Sequence, residues 1–242
     1  MPLPHPTAVS SAQVAVQIYS ERVFALKNVR LLYTKKGRLR FVSHLDMNRF
    51  MSRVIKRSRL PIWYTEGFNP HPYITFALPL SLGFESDYEI LDIRLTDDDF
   101  DIKKIPALLN SICGEYMNFY DVFEPALKVG LIGFSSYLIS FDDGGEIQKD
   151  LADFLSRNSI ICSKRTKKGG TKEIDIAPKL ISIKLEQKDN KTTLSLTLPA
   201  GGEDNLNPEL LIAAFYESYP DKYYCYNVLR TAVLDKDGKL FR

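Results

Sequence analysis

Cysteine is scarce: three residues, at positions 113, 162 and 225, are all the chain carries. Tens of residues apart, they supply neither a disulfide framework, nor a C-x-x-C metal knuckle, nor an iron–sulfur triad, so a reduced, cytoplasmic setting is expected. Long apolar runs are missing as well. The longest, Leu210 to Tyr216 and Val129 to Phe134, fall far short of the roughly 18 residues that cross a bilayer, and no membrane association is expected. The glycine motifs that cradle phosphates or carry a nucleophile are absent, namely G-x-x-x-x-G-K-[ST], G-x-G-x-x-G and G-x-S-x-G. Histidine is limited to positions 5, 44 and 71, at no metal-ligand spacing, so neither a metal nor a cofactor is expected. The opening MPLPHPTAVSSAQ has no basic region followed by a hydrophobic block, and residues 1–28 read as a tail or linker rather than a signal peptide.

What remains is a chain of 242 residues, 45% hydrophobic and 26% charged, which can bury a substantial core. Short β-branched and aromatic runs alternate with helical patterns, the grammar of an α+β fold. VRLLYT is strand-like, 43–58 helical, and IWYT, YITFAL and YEILDIRL strand-like; a helix over 102–116 and the strand NFYDVF follow. Glycines 130 and 133 break the periodicity between residues 126 and 136. A similar succession then begins again: SYLISF, a helix over 146–157, strands near 160, 181–186 and 193–198, a helix over 208–219, and a strand over 226–234. The order predicts two tandem ferredoxin-like (split β-α-β) modules with antiparallel sheets, at 29–125 and 134–242.

The formal charge of +2 conceals a pole. Between Arg30 and Leu60 stand ten basic residues and one acid, Asp46. Ser43 and Asp46 have capping-box spacing, which starts a helix there. At 100° per residue, Met47, Phe50, Met51, Val54 and Ile55 share one side, while Arg49, Arg53, Lys56 and Arg57 share the other. A cationic stripe can be a plain solvated face, but such faces usually interleave both signs, because like charges at i and i+4 repel. Here Arg49, Arg53 and Arg57 follow one another at that spacing, and Lys35, Lys36, Arg38 and Arg40 lie just upstream. A polyphosphate would relieve the repulsion, so these residues are predicted to contact nucleic acid. A second cluster, SKRTKKGGTK, places Lys164, Arg165, Lys167 and Lys168 on a hairpin tip with the same expectation. The acids concentrate between Glu85 and Asp101, eight against Arg94, so a bipolar molecule is expected.

In WYTEGFNPHPYITF, Pro70 and Pro72 bracket His71 and fix the backbone on both sides, while Gly67 and Asn69 favour a tight turn. A rigid polar loop of this kind serves recognition, so Ser43, His44, Glu66, Asn69 and His71 are predicted to form a pocket. Trp63, Tyr64, Phe68 and Tyr73 offer rings on which bases can stack, although strand aromatics are commonly core. His71 and His44 are the candidates for acid–base chemistry, since an imidazole can serve in either role near neutral pH.

The stretch FVSHLDMNRFMSRVIKRSRLPIWYTEGFNPHPYITFALPLSLGFESDYEILDI resembles the radical-SAM-linked protein family, a bacterial domain of unknown function often fused to, or encoded beside, a radical SAM enzyme. KRTKKGGTKEIDIAPKL, LPAGGEDNLNPELL and NVLRTAVL follow in the family's order, and the resemblance runs over about residues 29 to 235. It implies an accessory or substrate-presenting module for a radical SAM enzyme that acts on RNA or a translation component, and the basic helix and loop are then expected to bind the RNA. Lacking a C-x-x-x-C-x-x-C triad, this chain would need that enzyme as a separate polypeptide. Two alternatives stay open: a metal-independent ribonuclease using His71 or His44, and a protein-interaction module docking through the acidic segment.

Overall fold

The structure, a computed structural model, describes residues 26–165, 169–202 and 204–242. Residues 1–25 of the expected tail lie outside it, as do Lys167, Lys168 and the side chain of Arg165. The fold is mixed α/β, with four α-helices among the described residues. Its first strand, β1, spans Lys27–Lys35 and so begins inside the segment read as tail. Then come α1 (His44–Ser58), β2 (Ile74–Phe76), β3 (Glu85–Leu95), α2 (Ile105–Cys113) and β4 (Met117–Phe123). After Ile132 the chain runs β5 (Ile132–Phe141), α3 (Gln148–Leu155), β6 (Ile161–Arg165), β7 (Thr171–Asp175), β8 (Ile181–Lys188), β9 (Lys191–Pro199), α4 (Pro208–Ser218) and β10 (Tyr226–Asp235).

Eight strands form one sheet in the order β4-β1-β3-β10-β5-β9-β8, with β2 on β3, while β6 and β7 pair as a separate hairpin. The halves do not keep separate sheets. They join where β10 pairs in parallel with β3, Leu229 with Glu85 and Arg230 with Ser86; every other strand pairing among the described residues is antiparallel.

Strand alternation sets the layers. Val29, Leu31 and Tyr33 of β1 and Leu91, Ile93 and Leu95 of β3 turn to one side, where Met47, Met51, Val54 and Ile55 of α1 and Leu109 of α2 complete a core. Burying such side chains is worth about 1.5–3 kcal/mol each, which is why α1 docks by this stripe. In the second half Ile139, Leu194, Leu196 and Val228 pack under Leu151 and Phe154 of α3 and Leu211 and Phe215 of α4. The alternate residues Leu32, Tyr88 and Ile90 face a third cluster with Val233 and Phe241.

Two polar devices fix the first half. Asn110 of α2 accepts from Phe119 N at 2.7 Å and donates to Phe119 O at 2.8 Å, binding the helix to β4 as a strand neighbour would. At the end of β1 the chain turns at Gly37, whose φ is +53°, and whose N donates to Glu85 Oε1 at 2.8 Å. A Cβ there would stand 2.5 Å from the Tyr116 ring, so both conformation and space demand glycine.

Candidate nucleic-acid interface

The basic helix forms as its sequence predicts. Ser43 caps α1, its hydroxyl accepting from Asp46 N at 3.1 Å and donating to Asp46 Oδ2 at 2.8 Å. Met47, Met51, Val54 and Ile55 are buried and Phe50 half-buried, while Arg49, Arg53, Lys56 and Arg57 are exposed. The helix ends at Arg59, held at φ +57° in the left-handed region, with Ser58 Oγ donating to Ile55 O at 2.7 Å.

The ten cations between Arg30 and Leu60 divide into two groups. Arg30 is buried on the sheet, its guanidinium gripping Asp92 through two 2.7 Å bonds. Lys35 also turns inward. Only 4% exposed, it donates to Val42 O at 3.3 Å, and burial holds its ammonium below the usual lysine range. Strand alternation sends it to the face of Val29, Leu31 and Tyr33, and a lysine so placed presents nothing to a phosphate. Lys36 pairs with Asp87 at 2.6 Å, Arg40 donates to Asn227 Oδ1 at 2.7 Å while stacking on Phe41, and Arg49 reaches Asp46 at 3.4 Å. Arg38, Arg53, Lys56, Arg57 and Arg59 make no ion pair or side-chain hydrogen bond with the described residues. Three of these five stand in one run on the outward face of α1.

The acidic segment is therefore less a free pole than its sequence implies. On β3, Asp92 holds Arg30 and Glu89 holds Arg230, and Asp87 and Glu85 meet Lys36 and Gly37 N. Arg230 and Glu89, 1% and 4% exposed, form a buried pair beside the parallel junction, and Arg230 also donates to Leu78 O at 2.8 Å.

The histidine loop is a closed turn. Trp63 N donates to Arg94 O and Tyr73 N to Trp63 O, and Tyr64 bridges Pro72. His71 locks the tip: Thr65 Oγ1 accepts from His71 N at 3.2 Å, and Nδ1 lies 3.0 Å from that oxygen and 3.2 Å from Asn69 O. Glu66, Asn69 and His71 are exposed around Phe68, which is fully exposed and offers a free ring. Trp63 and Tyr73 are half-buried and clasp the Arg94 guanidinium, 5.2 and 4.4 Å from their centroids, so they are engaged internally. His44 shares nothing with His71. Its Nε2 lies 3.0 Å from Asn48 Nδ2 and its ring meets Phe76 edge-on. The residues predicted to make one pocket thus fall in two places: Ser43 and His44 at the helix start, Glu66, Asn69 and His71 on the loop. Among the described residues no three His, Cys, Asp or Glu side chains gather as a metal-ligand group, and no helix is long and apolar enough to cross a membrane.

Of the second cluster, Lys164 donates to Asn205 O at 2.6 Å, which ties β6 to the segment before α4. The pockets of the molecule were not legible in the sequence. One of about 240 Å³ lies between Arg40, Phe41 and Leu82 on one side and Tyr226 and Asn227 on the other, where the two halves meet. Another, of about 380 Å³, is walled by Asn28, Arg30, Tyr73, Asp92 and Lys128.

The fold and this surface define a mixed α/β sheet protein with an unneutralised cationic helix face. The family described as an uncharacterized protein conserved in bacteria (DUF2344) matches residues 28–208, and the chain belongs to it. No curated protein matches the chain. Among solved structures, 85% of the chain overlays 99% of a proposed glycine cleavage system transcriptional repressor, at 11% identity and a TM-score of 0.25, too slight a likeness to carry an argument.

Proposed function

We propose that the protein is an RNA-binding accessory module, gripping the phosphate backbone with α1 and presenting the RNA to a separately encoded radical SAM enzyme. The observation that carries the RNA reading is the run Arg53, Lys56 and Arg57. These are exposed guanidinium and ammonium groups without a carboxylate partner among the described residues, on a helix whose opposite face is locked into the core. Arg49 extends the stripe, Arg38 adds an exposed cation in the turn before α1, and Phe68 with Asn69 and His71 offers a stacking ring and polar groups for a base. Lys164, Arg165, Lys167 and Lys168 serve as a second phosphate contact. The radical SAM partner is supported by the SHLD and GFNPHP resemblance, and the missing cluster triad assigns the radical chemistry to that partner.

The architecture that carries this surface is a pair of ferredoxin-like modules, 29–125 and 134–242. Support comes from strand order: β4-β1-β3-β2 in the first half and β10-β5-β9-β8 in the second are one arrangement met twice, with the β6-β7 hairpin inserted in the second.

Fluorescence anisotropy with a short labelled single-stranded RNA tests the reading. About four phosphate contacts give a slope of log K against log salt near −3, so affinity falls about 50-fold between roughly 50 and 200 mM. Salt-insensitive binding, or none, removes the proposal. The same mixture run on a denaturing gel reads cleavage, and intact RNA is the expected result. Capture of a radical SAM protein that persists after nuclease treatment supports the partnership.

A further inference from the structure

The pocket beside Arg30 lies on the sheet face turned away from α1. Arg30 alternates with Val29 and Leu31, which belong to the α1 core, and its guanidinium stacks instead on Phe241 of the opposite cluster, 4.6 Å from the ring centroid. Asp92 occupies Nε and Nη2. Nη1 is left over. Among the described residues it is the one buried side-chain nitrogen or oxygen without a hydrogen-bond partner, on a residue 1% exposed. An unmet buried donor is unfavourable, and more so on a charged group, so its persistence asks for an acceptor from outside the fold.

The surroundings say what kind. Arg30 walls a cavity of about 380 Å³, the size of a small-molecule site. Asn28 lines it too, and because its Oδ1 accepts from Arg94 Nε at 3.0 Å, its amide nitrogen is left to donate. Lys128, an exposed cation, lines it as well. Asp92 already balances Arg30, so Lys128 and the neighbouring Arg94 leave the site cationic. Donors in excess, positive charge and a Tyr73 wall suit an anionic oxygen and repel a cation.

We propose that this cavity is a receptor for the oxyanion of a small ligand, a carboxylate or a phosphate, whose oxygens accept from Arg30 Nη1 and Asn28 and whose charge is met by Lys128. The inference is independent of the RNA reading, because the residues and the sheet face are different.

The test uses the full chain labelled with 15N-arginine. The Arg30 Nε–H resonance is followed while inorganic phosphate or, separately, malonate is added. A saturable shift is expected with at least one probe, and which of them saturates identifies the source of the oxyanion. Lys128→Ala and Asn28→Ala change exposed side chains, leave the fold intact and are each expected to weaken that binding about fivefold. An Arg30 resonance unmoved by either probe at about 50 mM overturns the proposal, as does a shift that neither substitution weakens.

Discussion

Replacing Arg53 by glutamate pulls stability and RNA binding in opposite directions. Arg53 sits four residues from both Arg49 and Arg57 on the exposed face of α1, so it takes part in two like-charge i,i+4 pairs. Each such pair destabilises by about 0.2–0.5 kcal/mol, and each opposite pair stabilises by a similar amount. Arg53→Glu converts both, and a glutamate placed N-terminal to Arg57 is the better orientation, so a gain of about 1 kcal/mol at low salt is expected. For a chain of this size that raises Tm by about 3 °C. Binding moves the other way. One phosphate contact on a single strand contributes about 0.7 to the salt slope, or about fivefold in affinity near 0.1 M salt, and a carboxylate in its place adds repulsion. Arg53→Glu is therefore expected to weaken RNA binding about tenfold at 0.1 M salt and to flatten the slope by about 0.7, for every RNA sequence alike. Differential scanning fluorimetry and anisotropy on the same preparation read both quantities. A higher Tm with unchanged affinity means that the stripe is only a solvated helix face, and the RNA proposal fails. A fall in both means that the substitution damaged the fold, and Arg53→Gln then decides whether the contact exists.

Three further expectations follow from buried chemistry. Glu89→Gln leaves Arg230 buried without its counter-charge and should lower stability by roughly 3–5 kcal/mol in urea unfolding, whereas Glu89→Leu with Arg230→Met recovers most of that; equal losses in single and double variants refute the reading. Asp143 is buried, and although burial opposes its charge, hydrogen bonds from Thr192 Oγ1, Ile147 N and Thr192 N outweigh it and hold the carboxyl below its ordinary range. Its contribution is thus present above the unfolded pKa of about 4 and lost as pH falls through the lower folded value, so Asp143→Asn should cost about 2–3 kcal/mol at neutral pH and flatten the acid limb of the stability profile. Burial pushes the thiols of Cys113 and Cys162 up to about 11, while Cys225 is exposed, so a thiol reagent at neutral pH should modify Cys225 first, the half-buried Cys113 more slowly, and the buried Cys162 only on unfolding; mass spectrometry of the native adduct checks the order.

Local grammar was legible and distant pairing was not. The Ser43–Asp46 cap and the stripe from Met47 to Ile55 announce α1 because cap, periodicity and charge all act within a few residues. Helix α2 starts later than its apolar pattern because the chain first makes a 3-10 turn at Ile102–Lys104, with Pro106 then entering the first turn of the helix. The strand IWYT is reduced to bridges at Ile62 and Tyr64, since Trp63 and Tyr73 turn to Arg94 instead of extending a ladder. The pairing of β3 with β10 joins residues some 140 positions apart, and no local signal marks it. Lys35 reads as a surface cation, yet alternation from Tyr33 puts it on the inner face near Glu89 and Arg230, a neighbourhood that the same distant pairing sets.

The distribution of carboxylates links fold to function. A chain with 32 basic and 30 acidic side chains could neutralise itself everywhere, and an electropositive surface then requires that acids be held elsewhere. Strand β3 does this. Its alternation sends Glu89 and Asp92 to opposite faces, and each meets a buried arginine, Arg230 at the junction of the halves and Arg30 behind the sheet. Arg230 and Glu89 are both buried and Asp92 is half-buried against buried Arg30, so these two acids are held away from α1. Asp46, held in the first turn of α1 by the capping Ser43, reaches Arg49 alone among the described cations. The cations at 53, 56 and 57 are left facing solvent by the same pairings that join the two halves of the sheet. If Asp92→Asn and Glu89→Gln change the salt dependence of RNA binding as strongly as Arg53→Glu does while the chain stays folded, the buried acids and the stripe form one electrostatic system and this separation of charge does not hold.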